Sequence, residues 1–222
     1  MGSQMVFVSV VCPTYGRRQW LPMVICQFMR FDWPTKDKEL VVLDDSPTSN
    51  ADLFAGYEEF NVRYEHLPER VPLGQKRAMV NERAKGDIIV CMDDDDVHHP
   101  LRIRHSVAVL INAGVELVAA TQLFVYYKST GQIRIFGPYN DLHGTHGTMA
   151  YTKRYAMTHT YDLNATHAEE RTFTADFTEK LAQLDPRMTI LCIAHEANTF
   201  DKHKPEVIAG SRETTLKLRD FW

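Results

Sequence analysis

Residues 93–96 are four consecutive aspartates that directly follow an apolar stretch at residues 88–92 and are closed by Pro100. Adjacent carboxylates repel one another, so four of them at the end of what resembles a buried strand indicate that positive charge normally lies among them. A divalent metal ion is one such charge. The alternative is a solvated acidic turn that caps the following helix, which is the commoner role of a charge run.

The first half of the chain alternates strand patterns with helix patterns. Apolar or β-branched runs predict strands at residues 6–12, 39–43, 62–66 and 88–92, and helical spacing of apolar residues predicts helices at 20–31, 53–60, 73–85 and 99–113. This alternation is typical of a mostly parallel, doubly wound sheet, in which ligands lie beyond the carboxyl ends of the strands. Polar groups follow three of these strands, so three strand ends point toward one crevice.

The second half changes character. Strands are predicted at residues 117–120, 123–127 and 132–136, with a hairpin turn at 129–131 and a last strand at 189–193. A loop rich in Gly and His covers 137–147, a short helix begins at Lys153, a longer helix is predicted over 169–184, and the tail from Pro205 is helical or loose. With no internal repeat or linker, we expect one domain over residues 1–222.

Composition limits the classes of partner. The formal net charge of −4 gives no broad basic field, so nucleic acid is not expected as the main partner. No apolar stretch approaches the roughly 18 to 20 residues that cross a bilayer. The four cysteines are far apart without CxxC spacing, which predicts reduced core residues and a cytoplasmic location. Residues 1–4 resemble a segment added for expression before a native Met5, and the end at Trp222 is consistent with a longer natural chain.

Several common sites are missing from the sequence. There is no GxGxxG after the first predicted strand and no GxxxxGK[ST], which disfavours dinucleotide oxidoreductases and P-loop kinases. The acidic run also lacks the glycine and terminal glutamate of an EF-hand loop. Alternate residues of an extended segment share a face, so Asp93 and Asp95 can point together while Asp94 points away. Two carboxylates would leave coordination positions for diphosphate oxygens, as Mg²⁺ or Mn²⁺ prefers.

Four stretches, in order, resemble glycosyltransferases with the GT-A fold, specifically the inverting family 2-like enzymes. They are residues 8–17, residues 39–46, residues 73–78 with 84–89, and the run 93–96 with Pro100, which matches a DxDD-xxx-P pattern. The sequence is also similar to glycosyltransferases carried by large DNA viruses, for which the location would be the host cytoplasm. The resemblance implies a Rossmann-like α/β fold with a mostly parallel central sheet flanked by helices and a smaller antiparallel acceptor-side portion. Residues 1–115 would form the nucleotide-sugar half and residues 116–222 the acceptor half.

The resemblance also implies roles for individual residues. Those expected to bind the nucleotide-sugar are Pro13, Thr14, Tyr15, Arg17, Asp44, Asp45, Gly74, Lys76, Arg77, Asp93, Asp94 and His146. The expected metal ligands are Asp95, Asp93 and His195, with Mn²⁺ favoured over Mg²⁺ because neutral imidazole suits it better. The expected catalytic residues are Glu170, Glu169 and Asp96.

Each of these assignments has an alternative. Residues 169–173 resemble a Glu-Asp-x-x-Phe motif whose second acid is the base, but Glu170 stands where the family usually has Asp, so Glu169 and Asp176 remain rivals. Asp96 would position sugar hydroxyls. Asp44 and Asp45 would otherwise cap the next helix, Lys76 and Arg77 would form a solvated face, and the histidines would be structural, with His203 as the spare ligand.

The resulting hypothesis is a metal-dependent glycosyltransferase that moves a sugar, most simply from a UDP-sugar, to a glycan or other hydroxyl acceptor with inversion. One rival is a sugar-phosphate nucleotidyltransferase, although residues 13–18 contain only one of the several glycines expected there. The other rival is a non-catalytic module that binds a nucleotide-sugar. The donor base, the sugar, the acceptor and the oligomeric state stay open.

Overall fold

Strand β1 (Val8–Thr14) lies inside the first sheet of a computed structural model that describes residues 6–196, 198 and 201–221. β2 (Lys38–Asp44) and β4 (Ile88–Cys91) flank β1 and run parallel to it, and β3 (Val62–His66) runs parallel to β2 at the edge. All seven β1 residues are buried, because its alternate side chains enter cores on both faces of the sheet. The strand continues through Pro13, where it pairs only with β2.

Three helices cover this half of the sheet: α1 (Leu21–Arg30), α2 (Leu73–Arg83) and α3 (Arg102–Ala113). α1 and α3 contribute apolar side chains to one core, and α2 contributes Val80 to the core on the opposite face. α3 ends at Gly114, whose φ of 60° lies in the left-handed region that glycine adopts at helix ends. The helices therefore cover the two faces of the sheet.

The second half of the chain completes the first sheet. β6 (Leu117–Ala119), β9 (Ala150–Thr152) and β10 (Ala182–Gln183) give the order β10-β6-β9-β4-β1-β2-β3, in which β9 alone is antiparallel to its neighbours. The short helix α4 (Lys153–Thr158) follows β9, and the Thr152 side chain caps its first turn.

A second sheet has the order β12-β8-β7-β11-β5. Its strands are β5 (Val97–His98), β7 (Leu123–Tyr127), β8 (Gln132–Phe136), β11 (Ile190–Ala194) and β12 (Ser211–Glu213). All its pairs are antiparallel except β7 with β11, and the helix α6 (Pro205–Ala209) precedes β12. The mostly parallel sheet with helices on both faces, joined to a smaller and largely antiparallel sheet, confirms the predicted fold class.

Some predicted elements differ from the structure. The helix predicted over 169–184 is reduced to α5 (Glu170–Phe173), because residues 175–177 take positive φ angles that no helix allows. Instead of one helix over 53–60 there are two single turns of 3₁₀ helix, Ala51–Leu53 and Glu58–Phe60. The helix predicted from residue 99 begins at Arg102, and β12 follows the strand predicted to be last.

Three cysteines are buried as predicted, but Cys26 on α1 is exposed, and all four are free thiols. No helix among the described residues is long and apolar enough to cross a membrane. The predictions for residues 1–5, 197, 199 and 222 lie outside the described residues.

Candidate functional site

The acidic run follows the carboxyl end of β4 and carries the chain from the first sheet into β5 of the second. Its four carboxylates point to four different elements of the fold. Asp93 accepts from Arg77 Nη2 of α2 at 3.1 Å, Asp94 from Thr14 of β1, Asp95 from Arg17 Nη1 at 2.7 Å, and Asp96 from the Ile193 amide of β11 at 3.0 Å. The run therefore joins both sheets.

Charge repulsion within the run is relieved unevenly. Burial and the neighbouring Asp95 carboxylate raise the pKa of Asp94 to about 7, and the same two causes raise the pKa of Asp96 to about 7. Burial alone would also raise the pKa of Asp93, but Arg77 lowers it to about 2. Asp93 and Asp95 are the two carboxylates of the run that pair with arginines, Asp93 with Arg77 and Asp95 with Arg17.

Asp95 lies in a cationic corner that the C-terminal segment closes. His195 Nε2 is 3.1 Å and Asn198 Nδ2 is 3.2 Å from Asp95 Oδ2, and the His195 ring stacks on Trp20 with centroids 5.0 Å apart. The three predicted metal ligands do not form one cluster, because Asp93 is held by Arg77. Within the described ranges no group of three or more His, Cys, Asp and Glu side chains is arranged to hold a metal ion. Asp95 and His195 supply two donors for a divalent metal ion, and diphosphate oxygens would complete its coordination.

Lys202 is a cation near the run that the sequence did not single out. Its carbonyl accepts from the Tyr127 hydroxyl at 3.0 Å, and its ammonium interacts electrostatically with Cys192, Asp96 and Asp95. Burial alone would lower the pKa of Lys202, but these groups raise it overall. Among the described residues its Nζ has no hydrogen bond or ion pair within normal distance, so this charge is available to a ligand. No sequence pattern marked it, because a lysine in a polar tail usually faces solvent.

The carboxyl end of β2 is a closed polar cluster. Asp44 accepts from the Ser46 amide at 2.9 Å, the Ser46 hydroxyl, Asn50 Nδ2 at 2.7 Å and the Tyr64 hydroxyl at 2.7 Å. Although burial alone would raise the pKa of Asp44, these hydrogen bonds lower it overall. Asp44 is fully buried and caps its own loop.

Asp45 pairs with Lys76 of α2, and the Lys76 ammonium also donates to the Thr14 carbonyl at 3.0 Å. The ammonium lies 5.7 Å from the centre of the Tyr15 ring, whose face is covered by the Arg70 guanidinium at 3.9 Å. This contact is a cation–π arrangement on a ring predicted to meet the nucleotide base.

Pro13 is buried within β1, and Gly74 lies in the first turn of α2. A Cβ on Gly74 would come within 2.0 Å of the Asp162 carbonyl, so a glycine is required for the loop at residues 162–165 to pack there. Gly74 therefore holds this loop against α2, and its amide already donates to the Ala165 carbonyl at 2.9 Å.

Arg77 links the acidic run to the predicted base motif. Its Nε donates to Glu169 at 2.5 Å while Nη2 contacts Asp93, although Glu169 lies 92 residues further along the chain. Its third nitrogen, Nη1, is buried without a partner in the part of the chain that the structure describes. A buried guanidinium donor is costly to leave unpaired, so this atom marks a place where a ligand oxygen would be stabilised.

Glu170 differs from its neighbour Glu169. Glu169 is buried on Arg77, which lowers its pKa although burial alone would raise it. Burial and the adjacent Glu169 charge raise the pKa of Glu170, and in the described chain its carboxylate has no ion pair. Asp176, the third rival, is exposed and pairs with Arg171 at 2.5 Å. Among these three rival acids, only Glu170 combines a raised pKa with a carboxylate that has no ion pair in the described chain.

His146 and Gly147 form the wall opposite Arg77. His146 is buried, its Nε2 lies 2.9 Å from the Tyr161 hydroxyl, and burial lowers its pKa to about 3, so the ring is neutral. A Cβ on Gly147 would come within 2.5 Å of Asp93 Oδ2, so the backbone there lies directly against the carboxylate.

Arg102 of α3 supports this wall from inside the core. Its Nη2 donates to the carbonyls of Cys91, Gly147 and Met149 at 3.3, 2.9 and 3.2 Å. The side chain is fully buried, and sequence patterns did not mark it because an arginine within a helix usually faces solvent. Arg102 thus fixes the end of β4 relative to the loop that meets Asp93.

The fold is shared with solved GT-A glycosyltransferases. A structure of TarS 1–349 from S. aureus in complex with UDP-GlcNAc superposes with a TM-score of 0.69 at 16% identity, covering 86% of this chain and 60% of that one. A mannosyltransferase from Pyrobaculum calidifontis in complex with GDP-Man and Mn²⁺ gives 0.69 at 12% identity, covering 88% and 59%. At such identities the likeness concerns the fold, and this chain spans about 60% of the length of those structures.

The sequence narrows this class to a family. The model of glycosyl transferase family 2 matches residues 9–167, so the chain belongs to that family. The matched span contains the acidic run, α2 and the loop at His146, whereas Glu170, His195 and Lys202 lie beyond it. The likeness to viral enzymes stays a prediction.

Proposed function

We propose that this chain transfers a sugar from a nucleotide-sugar, most simply a UDP-sugar, to a hydroxyl acceptor with inversion at the anomeric carbon. The single observation that carries the proposal is Arg77, which brings Asp93 of the acidic run and Glu169 of the base motif into one buried cluster. The family and the nucleotide-sugars bound by the two similar glycosyltransferases support the same class of donor.

The donor would lie along the carboxyl edge of the first sheet. The Tyr15 ring and the Asp44 loop face the nucleoside, and Arg17, Arg77 Nη1 and Lys202 offer positive charge to the diphosphate. Charge-assisted hydrogen bonds to phosphate oxygens are stronger than neutral ones, particularly in a site shielded from water. Asp93 and Gly147 would then bound the sugar.

Glu170 is the proposed general base. The acceptor hydroxyl gives its proton to the Glu170 carboxylate while its oxygen forms a bond to the anomeric carbon, and the bond from that carbon to the β-phosphate oxygen breaks. A raised pKa makes this carboxylate a better proton acceptor than an ordinary glutamate. Glu169, bound to Arg77, positions the cluster.

A divalent cation, Mn²⁺ or Mg²⁺, belongs to the proposal because Asp95 and His195 supply two suitable donors. When bound it would add positive charge that stabilises the departing diphosphate. Arg17 lies beside Asp95, and Lys202 lies near Asp95 and Asp96, so both would also add positive charge that stabilises the departing diphosphate.

Isothermal titration of UDP- and GDP-sugars, with Mn²⁺ and with a chelator, tests the proposal. We expect binding that the metal strengthens, and release of nucleoside diphosphate from at least one donor in a panel. An Asp95→Ala protein is expected to keep its fold and lose the metal dependence. No binding of any donor, or release of pyrophosphate from a sugar phosphate and UTP, would contradict the proposal.

A further inference from the structure

The loop after β8 carries an aromatic cluster that the reaction above does not use. Tyr139 and His143 lie 4.5 Å apart between ring centroids, and His143 stacks on Phe177 at 4.7 Å with an interplanar angle of 28°. Tyr139 is 58% exposed and Leu142 beside it is 39% exposed. An exposed aromatic ring backed by two others is a rigid platform with one free face.

The platform is held in place from several sides. The Tyr139 amide donates to Thr121 Oγ1 at 3.0 Å, and Gln183 Nε2 donates to the carbonyls of Asp141 and His143 at 2.9 and 3.0 Å. The rings are thus preorganised, so little conformational entropy is lost when a ligand binds.

Phe177 reaches the cluster through an unfavourable backbone. Ala175, Asp176 and Phe177 have φ angles of 46°, 57° and 58°, which cost non-glycine residues roughly 1–3 kcal/mol each. Residues 175–177 follow α5, which carries Glu170. The strained backbone therefore lies between the proposed base and Phe177 of the platform.

The platform lies at the same sheet edge as the acidic run. β6 is antiparallel to β9 and β9 to β4, so β6 and β4 point the same way, and the platform loop meets the end of β6 where Thr145 N donates to Ala120 O at 3.2 Å. β6 is two strands from β4, a separation of about 10 Å. The Tyr15 ring and the Asp44 loop, which are proposed to meet the nucleoside, lie at the ends of β1 and β2, on the other side of β4.

We propose that Tyr139, His143 and Phe177 form a binding site for a sugar ring of the acceptor, which makes the acceptor a carbohydrate. This inference rests on the proposed function. A pyranose ring has an apolar C–H face that stacks on an exposed aromatic ring and hydroxyl groups at its edge that need polar partners. His143 Nδ1 is buried without a partner among the described residues, so the platform also supplies a polar atom. A lipid acceptor would need a larger continuous apolar surface than Tyr139 and Leu142 offer.

Saturation-transfer NMR on the full chain tests this site without nucleotide. The probes are the methyl glycosides of glucose, galactose, mannose and N-acetylglucosamine. We expect transfer to the ring protons of at least one glycoside, a loss of about 5-fold or more in Tyr139→Ala, and retention in Tyr139→Phe. The control is Met157→Ala, which removes a side chain that is 76% exposed on α4 and should leave the signal unchanged.

Two results would overturn the inference: no transfer to any of the four glycosides, or equal transfer in wild type and Tyr139→Ala. Should Tyr139→Ala misfold, Leu142→Ala serves as the second variant, with a partial loss of signal expected. UDP titrations run beside the NMR separate the two proposals, because a wild type that binds glycosides but no nucleotide contradicts the proposed function alone.

Discussion

The carboxyl ends of β2 and β4 are both rich in aspartate, yet they are built in opposite ways. At the β2 end, Asp44 and Asp45 are saturated by hydrogen bonds and an ion pair from their own chain. At the β4 end, Asp94 and Asp96 have pKa values raised to about 7, and Glu170 and Lys202 have no ion-pair partner in the described chain.

The difference separates residues that stabilise a loop conformation from residues that can bind a ligand or react. A buried carboxylate whose partners are complete stabilises the conformation of its loop, whereas groups left without partners are held in readiness for a ligand at a cost in stability. Acidic strand ends in a sequence therefore do not all have the same role. Substitutions at the β2 end should affect mainly the free energy of unfolding, and those at the β4 end mainly binding and turnover.

The largest expected effect is at the open end. Glu170→Gln should lower kcat by about 10²–10⁴-fold, the range for loss of a general base, without weakening UDP binding. Because burial and Glu169 raise its pKa, wild-type activity should fall with decreasing pH at a higher pH than an ordinary glutamate would give. Initial rates between pH 4 and 8 measure this. Glu82→Gln, an exposed position on α2, is the control, and an unchanged kcat in Glu170→Gln would return the role to Glu169 or Asp176.

At the closed end, Lys76→Met should cost about 3–5 kcal/mol in the free energy of unfolding, because it leaves the Asp45 carboxylate buried and unpaired. Urea unfolding followed by circular dichroism measures it. Lys85→Met removes an exposed lysine and should change stability by less than about 0.5 kcal/mol. A loss below about 1 kcal/mol for Lys76→Met would show that the closed end is not a stability element.

A smaller effect is expected for Asp44→Asn, about 1–3 kcal/mol at pH 7, since the amide cannot accept all the hydrogen bonds of the carboxylate. The lowered pKa of Asp44 means that its contribution is present above the pKa of the unfolded chain and is lost as pH falls through the folded value. The difference between wild type and variant should thus shrink at pH 3. Asp141→Asn, at an exposed position, is the control and should change the free energy of unfolding by less than about 0.5 kcal/mol. A constant difference for Asp44→Asn would refute the assignment.

The smallest effect is expected for Lys202→Met, which should weaken UDP binding about 10-fold, equivalent to about 1.4 kcal/mol. The loss follows from removing an unpaired ammonium beside Asp95 and Asp96. Isothermal titration with UDP measures it, and the exposed Lys204→Met is the matched control. Equal affinities for both variants would exclude Lys202 from the site.

Sequence patterns predicted β1, β2 and β4 because these strands are buried on both faces of the first sheet and are therefore largely apolar, but β10 lies inside the stretch predicted as a helix. The strand at Val62–His66 was predicted with its observed bounds. The three polar strand ends were located for the same reason, since each follows such a run. Their different environments were not predictable, because the partners of Asp44 are local whereas the partner of Asp96 lies 97 residues away.

The helix predicted over 169–184 was wrong for a physical reason. Its local composition suits a helix, but the aromatic contact between Phe177 and His143 belongs to a distant loop that no local pattern reveals. Sequence patterns also missed three residues that act through contacts with segments far along the chain: Lys202, Arg102 and Trp20. The assignments of metal ligands, base and nucleotide contacts stay predictions.

The bond from the Ile193 amide to Asp96 has a consequence for biosynthesis. The two residues are 97 positions apart in the chain, and Arg77 is 92 positions before its partner Glu169. At about 5–20 residues per second, a ribosome needs roughly 5–20 s to deliver β11 after the acidic run has been made. During that interval β1 to β4 can pair, and Asp93, Asp94 and Asp95 can meet partners that precede them in the chain. Asp96 still lacks the Ile193 amide. The acidic run therefore gains its last partners only after β11 and His195 have been made.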